Sequence, residues 1–570
     1  MYIFKNNFSC GGFKPYIEND DTARGYISEI NSLCDKYKCE RMGVLSFSDF
    51  KLFDETGNRD KFEKLYFERR KRLLAFVLKL WIDNDEESVS YIEDTLWEIC
   101  GEYSWALPAH LAGYMSDDVS PYAVDLFVCE TACAAAEAIS LVGGRLHKIV
   151  VKRCVDEIFK RVIEPFETGD TEKYRLGWMN AYTNWAAVCG GAIGMTAIYV
   201  VEDEKRAAAI TDKCKAIANH FIASCTNDGI CLEGIDYWAY AMDFYFSFND
   251  LLEKRMGKSV IDDYEKLKKI SKFPSEVCVD EHITVPFSDA KPDCVQLSIG
   301  TFALINKIFD APVPDRYAFK RLFDNTARFC SSVRSIALFD STLFGKGIKK
   351  ENAFFPYARW AKLFSGESIL FAKGGNNDEP HNHNDIGCFS FIRGEKTIIS
   401  DLGAPDYDRD YFSEKRYESF NASSRGHSVP IVNGFLQSDG AEYTDDGFEK
   451  QADGVQIIMY NAYPKAAGLS FLKRSLKLCG GLVICDSFKF TGEKNLVCER
   501  LITRYTAEKK ENSALIKDGD NVICKIYADK DCTLKISREK INTKTNNIIT
   551  VIDFIFENVS NEFEVSIMLE

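Results

Sequence analysis

Two histidines stand one residue apart in Pro380-His381-Asn382-His383-Asn384-Asp385-Ile386-Gly387, out of seven in a chain of 570 residues. On a strand, residues two apart share a face, so both imidazoles would point the same way beside carboxamides and a carboxylate. Such a set suits a metal ion or proton transfer. A third histidine follows in Ser424-Arg425-Gly426-His427-Ser428. Asp401 ends the apolar run Thr397-Ile398-Ile399-Ser400-Asp401 between them. His383, Asp401 and His427 amount to two imidazoles and one carboxylate, a ligand set for zinc. The plain alternative is a hydrogen-bonded turn cluster, since short motifs have a false-positive rate.

The elements that must position these groups fall into two halves. Up to about Ala337 the chain reads as helix after helix. Phe62 to Ile82, Val124 to Leu141, Ala187 to Val201 and Glu204 to Cys225 all carry apolar residues at helical spacing. The Ala-rich stretch among them is apolar on most sides, as an inner helix would be. Recurrent helix–turn–helix segments predict antiparallel pairs in a solenoid or closed toroid. Near Phe354 the period changes. Short apolar runs such as 368–375, 388–394, 482–486 and 548–554 alternate with turn residues, which predicts an antiparallel β-sandwich. The expected organisation is multidomain α+β: an N-terminal (α/α) toroid over 1–340, a connection over 341–364, and an antiparallel β-sandwich over 365–570.

Composition bounds the function. A formal charge of −15 argues against nucleic acid as partner, while leaving room for a basic cleft and an anionic substrate. No stretch reaches the ~18 apolar residues of a membrane helix. Met1-Tyr2-Ile3-Phe4-Lys5-Asn6-Asn7-Phe8 has no apolar h-region, so the expected location is cytoplasmic. The twenty cysteines lie scattered in apolar segments without a C-x-x-C pair, which reads as reduced thiols.

Several segments in order resemble the heparinase II/III-like polysaccharide lyases. They are Phe371-Ala372-Lys373-Gly374-Gly375, then His381 to Gly387, Asp401-Leu402-Gly403, Arg416-Tyr417 and Ser424 to His427. In the first half they are Trp105-Ala106-Leu107-Pro108-Ala109-His110, Asn184-Trp185 before Gly190-Gly191, and Glu233-Gly234-Ile235-Asp236-Tyr237-Trp238-Ala239-Tyr240. The resemblance implies the same toroid and sandwich, and β-elimination at a uronic acid that leaves a 4,5-unsaturated sugar.

It also implies roles. Asn184 matches the neutral donor that stabilises charge building on the uronate carboxylate. Asn180, one helical turn earlier, is its nearest competitor. Tyr237 matches the catalytic tyrosine, with Tyr240 as the register alternative one turn on. His381 matches the base or base-assisting histidine, and Tyr417 a second active-site tyrosine. His383, Asp401 and His427 match the residues that hold a structural Zn²⁺, which splits the His-x-His pair between proton transfer and metal. Trp105, His110 and Trp185 are expected to line the cleft or its floor, although His110 could instead anchor a loop. Arg425 is expected to meet a substrate carboxylate or sulfate, or else to pair with Glu418. Where alginate-type relatives have a histidine after the toroid asparagine, this chain has Trp185, which argues against alginate.

The expected partner is an anionic uronate-containing oligosaccharide of the glycosaminoglycan type (hyaluronan, chondroitin, heparin or heparan), and a homo-oligomer stays open. The alternatives are an alginate or other polyuronate lyase, a glycoside hydrolase using Glu233 and Asp236, and a non-catalytic carbohydrate-binding protein.

Overall fold

The structure is a computed structural model that describes residues 2–111, 120–279, 283–291, 295–345, 351–543 and 547–570. Contacts divide the chain into two units. The first comprises Met1–Cys225, Tyr237–Lys272 and Gln296–Lys346. The second comprises Thr226–Asp236, Phe273–Val295 and Gly347–Glu570.

The first unit is helical, and its long helices lie where apolar periodicity places them: Asp60–Asp83, Leu126–Val142, Asn184–Val200 and Glu204–Ser224. Leu126–Val142 and Asn184–Val200 are buried along most of their length, and so form the inner layer. Small residues allow that packing. A Cβ on Gly191 would stand 2.9 Å from the Phe244 carbonyl oxygen of the helix Ile235–Met256. Asp125 caps Leu126–Val142 by accepting the Val128 N–H at 2.8 Å, while its other oxygen accepts the Leu107 N–H at 3.2 Å. One carboxylate thus starts an inner helix and holds the 105–110 loop against it. No helix among the described residues is long and apolar enough to cross a membrane.

The second unit is built from antiparallel sheets. A five-stranded sheet runs in chain order from Ala353–Phe355 to Lys396–Ile399. An eight-stranded sheet has Glu562–Leu569, Gly481–Phe490 and Leu469–Cys479 at its centre, and a four-stranded sheet is centred on Ile548–Val559 and Asn495–Thr503. Inward residues of all three, among them Leu370, Phe391, Leu472, Ile484 and Phe554, share one core. The sheet begins at Ala353, so the range 341–364 expected as a connection already contains Ala353–Phe355 and most of Trp360–Ser365. Two segments expected in the toroid, 226–236 and 273–295, belong to this second unit. They carry short turns and lone β-bridges rather than a long periodic run, so apolar spacing does not reveal their allegiance.

Alternation along Leu469–Cys479 and Gly481–Phe490 sends Leu472, Leu476, Ile484 and Phe488 inward, but also Arg474 and Asp486. Those two are register partners. The Arg474 guanidinium donates to Asp486 at 2.6 Å and to Glu499 at 2.9 Å, and its remaining NH₂ group to the carbonyls of Ser428 (2.7 Å) and Gly387 (3.1 Å). A buried arginine therefore ties the central sheet to the two loops that carry His383 and His427. Replacing Arg474 by Met should strand two buried carboxylates and cost about 3–5 kcal/mol. Denaturant unfolding followed by the sheet signal would measure it, and an unchanged midpoint would contradict this role.

Candidate functional site

In the helical unit, Asn184 is the first residue of Asn184–Val200 and is buried. Asn180 is exposed and ends a separate 3₁₀ turn, Leu176–Asn180, so it is not one turn earlier on the same helix as expected. The break comes at Ala181, whose backbone is extended. Trp185 is half-buried, with its ring 5.1 Å from that of His110. His110 Nδ1 meets Asp125 Oδ2 at 2.6 Å, which anchors the loop, and the ring still borders an open cavity shared with Asp125, Arg175, Trp178 and Trp185. Trp105 does not line it. It is wholly buried, its indole N–H donates to the Ile99 carbonyl at 2.8 Å, and Arg161 lies over its ring. The expected cleft-lining role for Trp105 is therefore replaced by a core role.

Tyr237 and Tyr240 separate clearly. Tyr237 is half-buried, whereas Tyr240 is buried, donates to Glu130 and lies 4.1 Å beneath the Arg328 guanidinium. Burial and the Glu130 charge push the Tyr240 phenol well above its usual value. Of the two, Tyr237 is the one with an exposed edge.

In the second unit, His381 and His383 are not on a strand. They lie in the loop before Phe389–Arg393, and His381 has φ +60°. The same-face argument does not apply, yet the rings converge on one carboxylate. Asp289, buried and absent from the sequence reading, accepts from His381 Nδ1 (2.7 Å) and Arg416 (3.1 Å) on one oxygen. Its other oxygen accepts from Tyr411 (2.5 Å) and faces His383 Nε2 at 3.1 Å. Burial opposes its ionisation, but the bonds from His381 and His383 and the Arg416 charge hold it well below the usual carboxylate range. Nothing near Asp289 in sequence signals this; only its position after Pro286-Phe287-Ser288 in a turn could have drawn notice.

The turn is clamped. Gly403, at φ +63°, has no room for a Cβ, which would lie 2.2 Å from the Ala290 carbonyl oxygen. Ala404 N–H donates to that oxygen at 3.0 Å, and Lys291 N–H donates to Asp236 at 2.8 Å. Glu233 lies 3.5 Å from His381 Nε2. Tyr417 donates to Asn382 at 2.8 Å. Arg425 is exposed and holds the backbone carbonyl of Glu418, not its carboxylate.

His383, Asp401 and His427 are fully buried, with one ligand atom of each within 4.8 Å of the others. His427 Nε2 meets the Asn421 carbonyl at 2.7 Å, which fixes the N–H there and turns Nδ1 toward Asp401 at 3.1 Å. Asp401 also accepts the Gly403 N–H at 2.8 Å. His383 Nε2 is occupied by Asp289, and His383 Nδ1 is buried with no hydrogen-bond partner among the described residues. A buried polar atom left so costs about 1–3 kcal/mol, and a metal ion would use its lone pair. Burial pushes His383 below its ordinary value, toward the neutral ligand form. Burial opposes charge on His427 too, but Asp401 outweighs it. The donor set fits zinc.

Residues 347–565 match the family model described as heparinase II/III-like, C-terminal. No curated protein sequence matches the chain. Among solved structures, a heparinase III is 11% identical over 100% of this chain and 92% of its own, with a TM-score of 0.62. A heparan sulfate lyase from Pedobacter heparinus is 12% identical over 98% and 90%, with a TM-score of 0.56. A chondroitin AC lyase from Streptomyces coelicolor, solved with chondroitin sulphate, is 8% identical over 95% and 83%, with a TM-score of 0.51. At these identities the likeness establishes a common fold.

Burial raises the Glu130 carboxyl from 4.5 to about 8 despite Arg328. A folded-state value above the unfolded one means the folded state binds the extra proton, so stability declines as pH rises from about 4.5 to about 8. Glu130→Gln should flatten that decline, measured as melting temperature against pH.

Proposed function

We propose that this chain, whose residues 347–565 are a heparinase II/III-like C-terminal domain, is a lyase that cleaves uronate-containing, glycosaminoglycan-type oligosaccharides by β-elimination. The carrying observation is the pairing of His381 Nδ1 with the buried Asp289 carboxylate. That bond assigns the proton to Nδ1 and leaves Nε2 as the basic nitrogen, the arrangement of an oriented general base.

The chemistry then divides among the residues. The C5–H of a uronate is very weakly acidic because its neighbour is already a carboxylate. The Asn184 amide donates to that carboxylate and stabilises the charge that builds on it as the proton leaves. His381 Nε2 takes the C5 proton, or assists Tyr237 in taking it. The C4–O bond breaks as the C4=C5 double bond forms, and the Tyr237 phenol protonates the departing oxygen. No water enters the product. His383, Asp401 and His427 would hold zinc, which supplies a cross-link between their loops. Tyr417, through its bond to Asn382, borders the same loop as His381. Trp185 and His110, beside an open cavity, offer faces for a sugar ring. Asn180 and Arg425, both exposed, remain for contacts with substrate. A cytoplasmic location is in keeping with cysteines that are free thiols wherever they are described.

The hydrolase reading is less favoured. It needs two carboxylates ready for acid and base work, but Asp236 accepts the Lys291 N–H and Glu233 lies against His381.

Ultraviolet absorbance of the conjugated product tests the reading over defined hyaluronan, chondroitin, heparan and alginate oligosaccharides. We expect release from the glycosaminoglycan set. Tyr237→Phe and His381→Ala should each lower kcat about 10²–10⁴-fold, and Asn184→Ala about 10²–10³-fold. A saturated product carrying solvent oxygen, or no product from any substrate, would sink the lyase reading. The two neighbouring histidines should also part company: His383→Ala loses zinc, measured by metal analysis, whereas His381→Ala keeps it.

A further inference from the structure

Asp289 does more than orient one base. Each of its oxygens faces two groups: His381 and Arg416 on Oδ2, His383 and Tyr411 on Oδ1. A carboxylate has about four acceptor sites, so this one is filled, and neither imidazole can turn without leaving a buried group unpaired. His383 Nδ1 is buried with no hydrogen-bond partner among the described residues, and His383 offers one ring nitrogen within 4.8 Å of ligand atoms of Asp401 and His427. Histidines that bind metal commonly donate their second N–H to a carboxylate, which sets the tautomer and raises the ligand's basicity. Asp289 occupies that place for His383 while holding the Nδ1 of His381.

A second, backbone connection runs in parallel. Gly403 N–H holds the carboxylate of Asp401, and the same glycine packs on the Ala290 carbonyl, which Ala404 N–H also binds. The loop bearing one candidate ligand is thus locked to the turn bearing Asp289.

We propose that Asp289 is a positioning residue shared by the zinc site and by His381, so that metal binding and the orientation of His381 are coupled through one carboxylate. The proposal rests on the zinc component of the functional reading above. It makes two demands of the full-length protein. Asp289→Asn, which keeps the shape but removes the charge and half of the acceptor sites, should weaken Zn²⁺ binding about 10–100-fold in competition with a chromophoric chelator. His381→Ala, which removes one donor but keeps the Asp289 charge, should still bind zinc, with a smaller loss of affinity than Asp289→Asn. In the wild type, stripping and restoring zinc should alter the imidazole C2–H exchange of both His383 and His381, read by mass spectrometry. In Asp289→Asn at saturating zinc, the effect on His381 should vanish while that on His383 stays.

Wild-type zinc affinity in Asp289→Asn overturns the proposal, as does a zinc effect confined to His383 in the wild-type protein, or the absence of zinc binding altogether. If Asp289→Asn does not fold, the wild-type exchange measurement decides alone. None of these readouts uses turnover. A chain that passes them yet releases no unsaturated product would retain the coupling and lose the lyase assignment.

Discussion

A carboxylate removed from water must be met by donors, and the second unit of this protein is arranged around one that is. Asp289 has four partners drawn from three stretches of chain: the 381–383 loop, Tyr411 and Arg416. Desolvation of an unpaired carboxylate would cost several kcal/mol, so the partners and the charge sustain each other. Remove the charge, and Arg416 and two imidazoles lose their common reference. Remove the donors, and Asp289 must take up a proton. The candidate chemistry inherits its geometry from this mutual dependence and not from the regularity of any strand.

Arg474 plays the complementary part for the sheets. It sits at an inward position of an otherwise apolar alternation; one carboxylate partner, Asp486, comes from the neighbouring strand, and the other, Glu499, from the four-stranded sheet. Its outward reach is to carbonyls at Gly387 and Ser428, next to the loops of the metal candidates. One cation thus bridges packing and site. Lys373 and Asp385, a second buried pair at 2.8 Å, brace the same loop from the strand Ser368–Lys373. Buried pairs of this kind add little net stability relative to apolar residues, but losing one partner of a pair strands the other charge.

Much of this was legible in the chain. The 3.6-residue period located the long helices to within a few residues, and the short apolar runs located strands such as Gly481–Phe490 and Ile548–Val559. The trio His383, Asp401 and His427 was readable because ligand types are few and the structure gathers them. Other features depend on distant partners and leave no local mark. Asp289 is a single acidic residue in a turn, more than ninety positions before the histidines it holds, with no periodicity to flag it. The His-x-His pair looks like strand alternation, but the left-handed backbone at His381 breaks that geometry. Trp105 looks like a sugar platform by type, yet Arg161 and the Ile99 carbonyl claim it for the core. Tyr237 and Tyr240 are equivalent by spacing, and only the burial of Tyr240 against Glu130 and Arg328 tells them apart.

The two short segments 226–236 and 273–295 have a consequence for how the molecule is made. The chain leaves the helical unit, returns, leaves and returns again before the sheets begin. Asp289 and Glu233 therefore emerge from the ribosome well ahead of the histidines they meet. Until Arg416 has been synthesised, Asp289 waits without its full set of partners, and the sheet between Gly481–Phe490 and Asn521–Ala528 is completed only by Glu562–Leu569. Contacts of such long sequence separation slow folding, and they make the second unit a poor candidate for independent expression. A fragment cut at residue 347 would carry the sheets but not the carboxylate around which their histidines are ordered.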